Sequence, residues 1–176
     1  MNWEMNSLDV KCAFLQGKLL EREVYLRPPR EANVKGVLWK LNKCVYGLMD
    51  ASRHWYFRVK EELLKRNCKV SKLDPAVFYY YDNGLKGFLL SHVDDFFFAG
   101  SEAFKKMIEE LKKVFIVSRE DSYAFKYLGM ELQQTNKGIF LSLHKYTSDL
   151  EEISLDKDRK SNRDLVLIDK EKNELR

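Results

Sequence analysis

The sequence predicts a mixed α+β fold, an antiparallel sheet with helices packed on one face, and three observations point to it. Short apolar runs alternate with polar residues and stop at turn formers, as in Glu23-Val24-Tyr25-Leu26-Arg27 before Pro28-Pro29. Two such runs, Ala76 to Tyr81 and Lys86 to Val93, are joined through Asp82-Asn83-Gly84, a strong hairpin signal. Elsewhere Trp55, Val59, Leu63 and Leu64 repeat at helical spacing.

Taken in chain order, Leu8 to Cys12 reads as a strand running into Ala13-Phe14-Leu15, with Gly17 as a breaker. Strands follow at Glu23 to Arg27 and Val37 to Leu41, then a helix from Ala51 to Arg66. After the first hairpin comes Asp94-Asp95, and Phe96-Phe97-Phe98-Ala99, bounded by Gly100, forms a second hairpin with the acidic pair at its tip. Ser101 is placed to cap a helix through Val114, with Glu102 favourable in its first turn. Leu128 to Gln133 and Gly138 to Leu143 form two further strands joined by Thr135-Asn136-Lys137, and His144-Lys145-Tyr146 opens a last helix.

The chain has 176 residues, enough for one domain and a tail. We place the domain at 1–153 and read 154–176, rich in both charge signs with only Leu165-Val166-Leu167-Ile168 apolar, as a charged linker or tail. The longest apolar stretch, Gly87 to Gly100, is broken by Ser91, His92, Asp94 and Asp95, which argues against a membrane span. No export signal is readable at the N-terminus, so an intracellular protein is expected. Cys12, Cys44 and Cys68 are widely spaced without a CxxC pair, which suits reduced core thiols better than disulfides or zinc.

A net charge of +4 conceals a concentration: 35–72 holds ten Lys/Arg against three Asp/Glu. Interleaved with Trp39, Tyr46, Trp55, Tyr56 and Phe57, this stretch reads either as a surface tracking a phosphate backbone or as the solvated face of an amphipathic helix.

The acidic pair is physically odd. Two adjacent carboxylates beside Leu89, Leu90, Val93 and three phenylalanines repel each other and lose hydration, and a divalent cation is the usual compensation. The bland reading is an exposed turn. Asp9 sits in a comparable place, at the end of a neighbouring strand, and three such acids suit two hard cations of the kind that run in-line phosphoryl transfer. Strand alternation makes Asp94 and Asp95 unequal; we rank Asp94 as the ligand shared with Asp9 and Asp95 as the weaker contributor.

Five collinear blocks, LDVKCAFLQGKLLEREVYLRPP, LWKLNKCVYGLMDASRHWY, HVDD, KYLGMEL and GIFLSLHKYTSDLEEI, resemble those of copia-type retrotransposon reverse transcriptases in order and approximate spacing. The resemblance runs from Leu8 to Ile153. It implies a polymerase palm, two Mg²⁺ ions (with Mn²⁺ able to substitute), a template-primer of RNA or DNA, and deoxynucleoside triphosphates. Asp9 matches the first catalytic aspartate, and Asp94 and Asp95 the acidic pair. Phe14 matches the bulky residue that crowds a ribose 2′ position, although an ordinary core phenylalanine is the competing reading. Gly47 would let a nucleotide approach the backbone, Lys43 and Arg53 could reach phosphates, and His92 would lie near the primer terminus.

His92 stands where the family usually has Tyr, and Asp50, where many members have Gln, would add negative charge near the nucleotide phosphates. The chain also starts close to the first acid, where members of the family have a fingers region, so an inactive remnant with at most nonspecific nucleic-acid binding is the second expectation. A cyclase-like enzyme is a third, but the glycine-rich phosphate turn it needs beside the acidic pair is not visible.

Overall fold

The computed structural model describes residues 3–151 and the single position 166, so the charged segment expected at 154–176 otherwise lies outside the described residues. The chain divides into two units, Met1–Leu141 and Ser142–Arg176.

The strands are β1 (Glu4–Val10), β2 (Tyr25–Leu26), β3 (Trp39–Lys40), β4 (Cys68–Val70), β5 (Val77–Tyr81), β6 (Leu85–His92), β7 (Asp95–Gly100), β8 (Val117–Ser122), β9 (Ala124–Tyr127), β10 (Met130–Thr135) and β11 (Gly138–Ser142). Helix α1 spans Ala51–Lys65 and α2 Glu102–Lys112; the short α3 (His144–Ser148) belongs to the second unit. The main sheet has the order β4-β5-β6-β7-β1-β8, and each of its neighbouring pairs is antiparallel. Strands β9, β10 and β11 make a second sheet, and β2 with β3 a two-stranded ribbon.

Alternation divides the main sheet between two apolar clusters. Leu8, Val10, Phe78, Leu89, Phe96 and Phe98 join Trp55, Val59 and Leu63 of α1 and Phe104, Met107, Ile108 and Leu111 of α2 in the larger core. Met5, Phe97 and Leu90 turn the other way, toward Phe125, Tyr127 and Leu132. The α+β class with an antiparallel sheet and few helices is therefore as the sequence predicts.

Several boundaries differ from expectation. β1 begins at Glu4 rather than Leu8, and Cys12 is not in it but holds an exposed left-handed turn position (φ 50°). β2 and β3 shrink to two residues each, since a ribbon with exposed Tyr25, Leu26 and Trp39 buries little. Leu64 falls on the outer face of α1. Ser101 occupies the N-cap position of α2 but makes no capping bond, its hydroxyl being buried without a partner. β4, β8 and β9 were not expected at all: β8 (Val117-Ser118-Arg119-Glu120-Asp121-Ser122) is almost wholly polar and gives no hydrophobic alternation to read. No helix among the described residues is long and apolar enough to cross a membrane.

Phe104 shows how tightly α2 is seated. Gly87 and Gly100 face each other across β6 and β7, and a Cβ added to either would lie 2.3 Å from the Phe104 ring. The ring is fully buried, so it has nowhere to retreat. Gly100→Ala and Gly87→Ala should each destabilise the fold by about 1–3 kcal/mol through overpacking, read as a lowered urea midpoint; an unchanged midpoint would show that α2 is not held here.

Candidate active site

Because Leu8, Val10, Phe96 and Phe98 enter the helix-side core, alternation turns Asp9 and Asp95 to the opposite face. The ladder sets them directly across from one another. Asp94 lies in the turn before β7, where its carbonyl accepts the Val10 backbone N–H at 2.8 Å. The structure therefore gathers all three predicted acids at one strand end. It pairs Asp9 with Asp95 across the ladder, whereas the sequence ranking puts Asp94 first.

The turn itself is strained. Val93, a β-branched residue, has φ 51°, a left-handed conformation that such side chains rarely adopt. Its carbonyl is held by the indole N–H of fully buried Trp55 at 2.5 Å, which ties the acidic turn to the N-terminal half of α1. Trp55 also packs edge-on against Phe115, with ring centroids 4.9 Å apart. Trp55 thus acts as the anchor of the turn, a role that helical spacing alone does not reveal.

A β-bulge follows on the other flank. Asp9 pairs with Arg119 and Val10 with Val117, leaving Ser118 as the extra residue. The Ser118 hydroxyl donates to the Asp9 carbonyl (3.2 Å) and to its carboxylate. Arg119, opposite Asp9, forms an ion pair with Asp121 at 3.0 Å.

The electrostatics are those of an under-compensated acid cluster. Burial, then the charges of Asp94 and Asp9, pushes the Asp95 carboxyl above its ordinary range, against smaller pulls from Arg119 and His92. Among the described residues no three acid, imidazole or thiol groups form a ready-made metal cluster. By donor chemistry the residues nonetheless fit hard divalent cations: they offer carboxylate oxygens, mutually repulsive and part-buried, with the Asp9 carboxylate turned aside toward Ser118.

Phe14, in the 3-10 turn Ala13–Gln16, packs partly into the main core and partly against Tyr46, with centroids 4.6 Å apart. Tyr46 is 58% exposed, and its phenol is raised first by burial and then by the charges of Asp94, Cys12 and Asp9. Gly47 follows at φ +96° with open space where a Cβ would stand, so the glycine is required by the backbone turn rather than by crowding. His92 ends β6, exposed, opposite Asp95.

Arg53 lies elsewhere. It stacks over Phe57 at 5.5 Å and lines a cavity of ≈ 320 Å³ with Lys18, Asp50 and His54, to which none of the three acids contributes. Lys43 bridges Leu19 through its backbone. Asp50 adds no free charge: Arg22 grips it with two hydrogen bonds, at 3.0 and 2.9 Å, and holds its carboxyl below the usual range. Ser118 and Arg119, hidden in the polar β8, carry no signal in the sequence, while Tyr127 of β9 stands out there only as part of the KYLGMEL block. Tyr127 is buried, and its phenol is pushed up to about 12 by burial and by Asp95.

Over residues 1–160 the chain matches the family model described as reverse transcriptase (RNA-dependent DNA polymerase). It belongs to that family. Its curated relatives are Pol polyproteins of copia-type retrotransposons. It is 30% identical over 154 residues to the Retrovirus-related Pol polyprotein from transposon RE2 of Arabidopsis thaliana, covering 85% of this chain and 10% of the relative. With that from transposon TNT 1-94 of Nicotiana tabacum it shares 32% over 155 residues, covering 83% and 11%. A truncated transposon Ty1-A Gag-Pol polyprotein of Saccharomyces cerevisiae is 26% identical over 153 residues, with coverage of 82% and 12%. The chain thus spans about a tenth of the length of these relatives.

The raised Asp95 carboxyl has a consequence for stability. The folded chain holds that proton more tightly than the unfolded chain, so stability falls as pH rises from the ordinary value of 3.8 through the raised folded value, and the loss persists above it. Asp95→Asn should therefore raise the urea midpoint at pH 7, with the difference closing below about pH 4. A lowered midpoint at pH 7 would contradict the reading of Asp95 as an under-compensated acid.

Proposed function

We propose that residues 1–153 are the palm of an RNA-directed DNA polymerase, extending a primer 3′-hydroxyl with deoxynucleotides on an RNA or DNA template. The observation that carries this reading is the set of three carboxylates at the end of β1 and the β6–β7 turn, two of them opposed across the ladder on the face away from the helices.

Asp9, Asp94 and Asp95 are the residues to hold two Mg²⁺ or Mn²⁺ ions. When bound, such ions supply charge that favours deprotonation of the attacking hydroxyl and steadies the leaving oxygen. The protein's own part is positional. Trp55 fixes the turn, Ser118 orients Asp9 until a ligand replaces that hydrogen bond, and Phe14, backed by Tyr46, sets a wall that crowds a ribose 2′-hydroxyl. His92, exposed beside Asp95, is placed to flank a primer terminus. Lys43, Gly47 and Arg53 remain candidates for template and nucleotide contacts, Gly47 through its position after Tyr46.

Nonspecific nucleic-acid binding through 35–72 has less support. Arg58, Lys65 and Arg66 are paired with Glu61 or Glu62 along α1, and Lys40 with Glu23. Four of the ten basic residues of this stretch are thus held in ion pairs within the protein.

Primer extension on a poly-rA template with Mg²⁺ tests the proposal. The chain should extend the primer, and Asp94→Asn should reduce extension by roughly two orders of magnitude or more, the scale of losing a transition-state electrostatic contact. No extension by either protein refutes polymerase activity. Phe14→Ala should lower the preference for deoxynucleotides over ribonucleotides at least about tenfold; unchanged selectivity would return Phe14 to the role of a core ring.

A further inference from the structure

Tyr127 carries one feature that packing alone does not explain, its hydroxyl. Its ring, 5% exposed, rests on Phe97 with centroids 5.6 Å apart, and an apolar ring is all that contact needs. Its hydroxyl is buried too, and has no hydrogen-bond partner among the described residues. Native structures seldom carry an orphaned buried hydroxyl without a use for it. Phe97 and Asp95 are two residues apart on one strand and so share a face, which brings the phenol to the flank of the acidic cluster. The charge of Asp95 is felt at the phenol, which agrees with that placement.

We propose that Tyr127 is a positioning residue for Asp95, its hydroxyl donating a hydrogen bond to the Asp95 carboxylate when the acidic cluster holds a divalent cation. The inference rests on the metal-dependent reading above. A cation draws one carboxylate oxygen of Asp95 toward itself and leaves the other to be oriented. A buried neutral donor is suited to that task, because it fixes the oxygen without competing as a charge. The same bond links β9 of the second sheet to β7 of the first, so loading of the acids would be communicated to the hairpin of β9 and β10.

Mg²⁺ titration of the full chain, followed by tryptophan fluorescence and by melting temperature, provides the test without recourse to catalysis. Tyr127→Phe removes one oxygen and keeps the ring. In the absence of Mg²⁺ it should melt at or above the wild-type temperature, since the orphaned group is gone. Its Mg²⁺ midpoint should nonetheless rise about tenfold, the low end of the effect of losing a hydrogen-bond partner to a metal ligand. In an Asp95→Asn background the same change should shift the midpoint less than twofold, because the bond acts through that carboxylate. A Tyr127→Phe midpoint within twofold of wild type, in a protein that responds to Mg²⁺, overturns this inference and leaves the metal reading intact. A wild-type chain with no Mg²⁺ response overturns both.

Discussion

In the pairing of β1 with β7, a slip of either strand by one residue would turn its own apolar pair, Leu8 and Val10 or Phe96 and Phe98, out of the core and drive its acid, Asp9 or Asp95, into it. The penalty for either change is large, so the same hydrophobic pattern that folds the sheet also fixes where the acids stand. Six register pairs from Glu4↔Gly100 to Asp9↔Asp95 hold this ladder, and the two strands sit inside the main sheet with neighbours on both sides. The helices follow from it: Trp55 and Phe104 pack on the face that the register leaves apolar.

The acids are a source of instability that the remainder of the fold must offset. Burial and their repulsion raise the Asp95 carboxyl, the β6–β7 turn holds Val93 in a left-handed conformation, and the bulge at Asp9 interrupts the β1–β8 ladder. Each is the kind of local conflict that persists where surrounding structure over-determines it. Trp55 is the principal restraint, with its indole hydrogen bond at the turn and its ring sealed between Phe96 and Phe115. The proposed polymerase site would supply a reason for tolerating this arrangement, since a seat for cations requires charge that the free chain does not neutralise.

The parts of the molecule legible in the sequence were those written in apolar periodicity. The hairpin around Asn83-Gly84, α1, α2 and the β6–β7 turn all carry such patterns, and in the structure both Asn83 and Gly84 take positive φ as that turn demands. The acids were legible for the complementary reason, as charges interrupting a greasy run. β8 was not, because five of its six residues are polar, and with it Ser118 and Arg119 stayed hidden. Asp50 could be read as a free charge only because its partner Arg22 lies far away in sequence. Tyr127 looked like part of a motif, but its orphaned hydroxyl is a tertiary fact with no signature along the chain.

In the proposed function Asp9, Asp94 and Asp95 form one divalent-cation seat. Crystals of the chain grown with Mn²⁺, measured at the manganese absorption edge, test it most directly. An anomalous difference peak is expected between β1 and the β6–β7 turn, within coordination distance of Asp9 and at least one of the adjacent pair, and it should be lost in Asp9→Asn crystals. Manganese found only at other carboxylates, or a peak at the turn that survives Asp9→Asn, would contradict it.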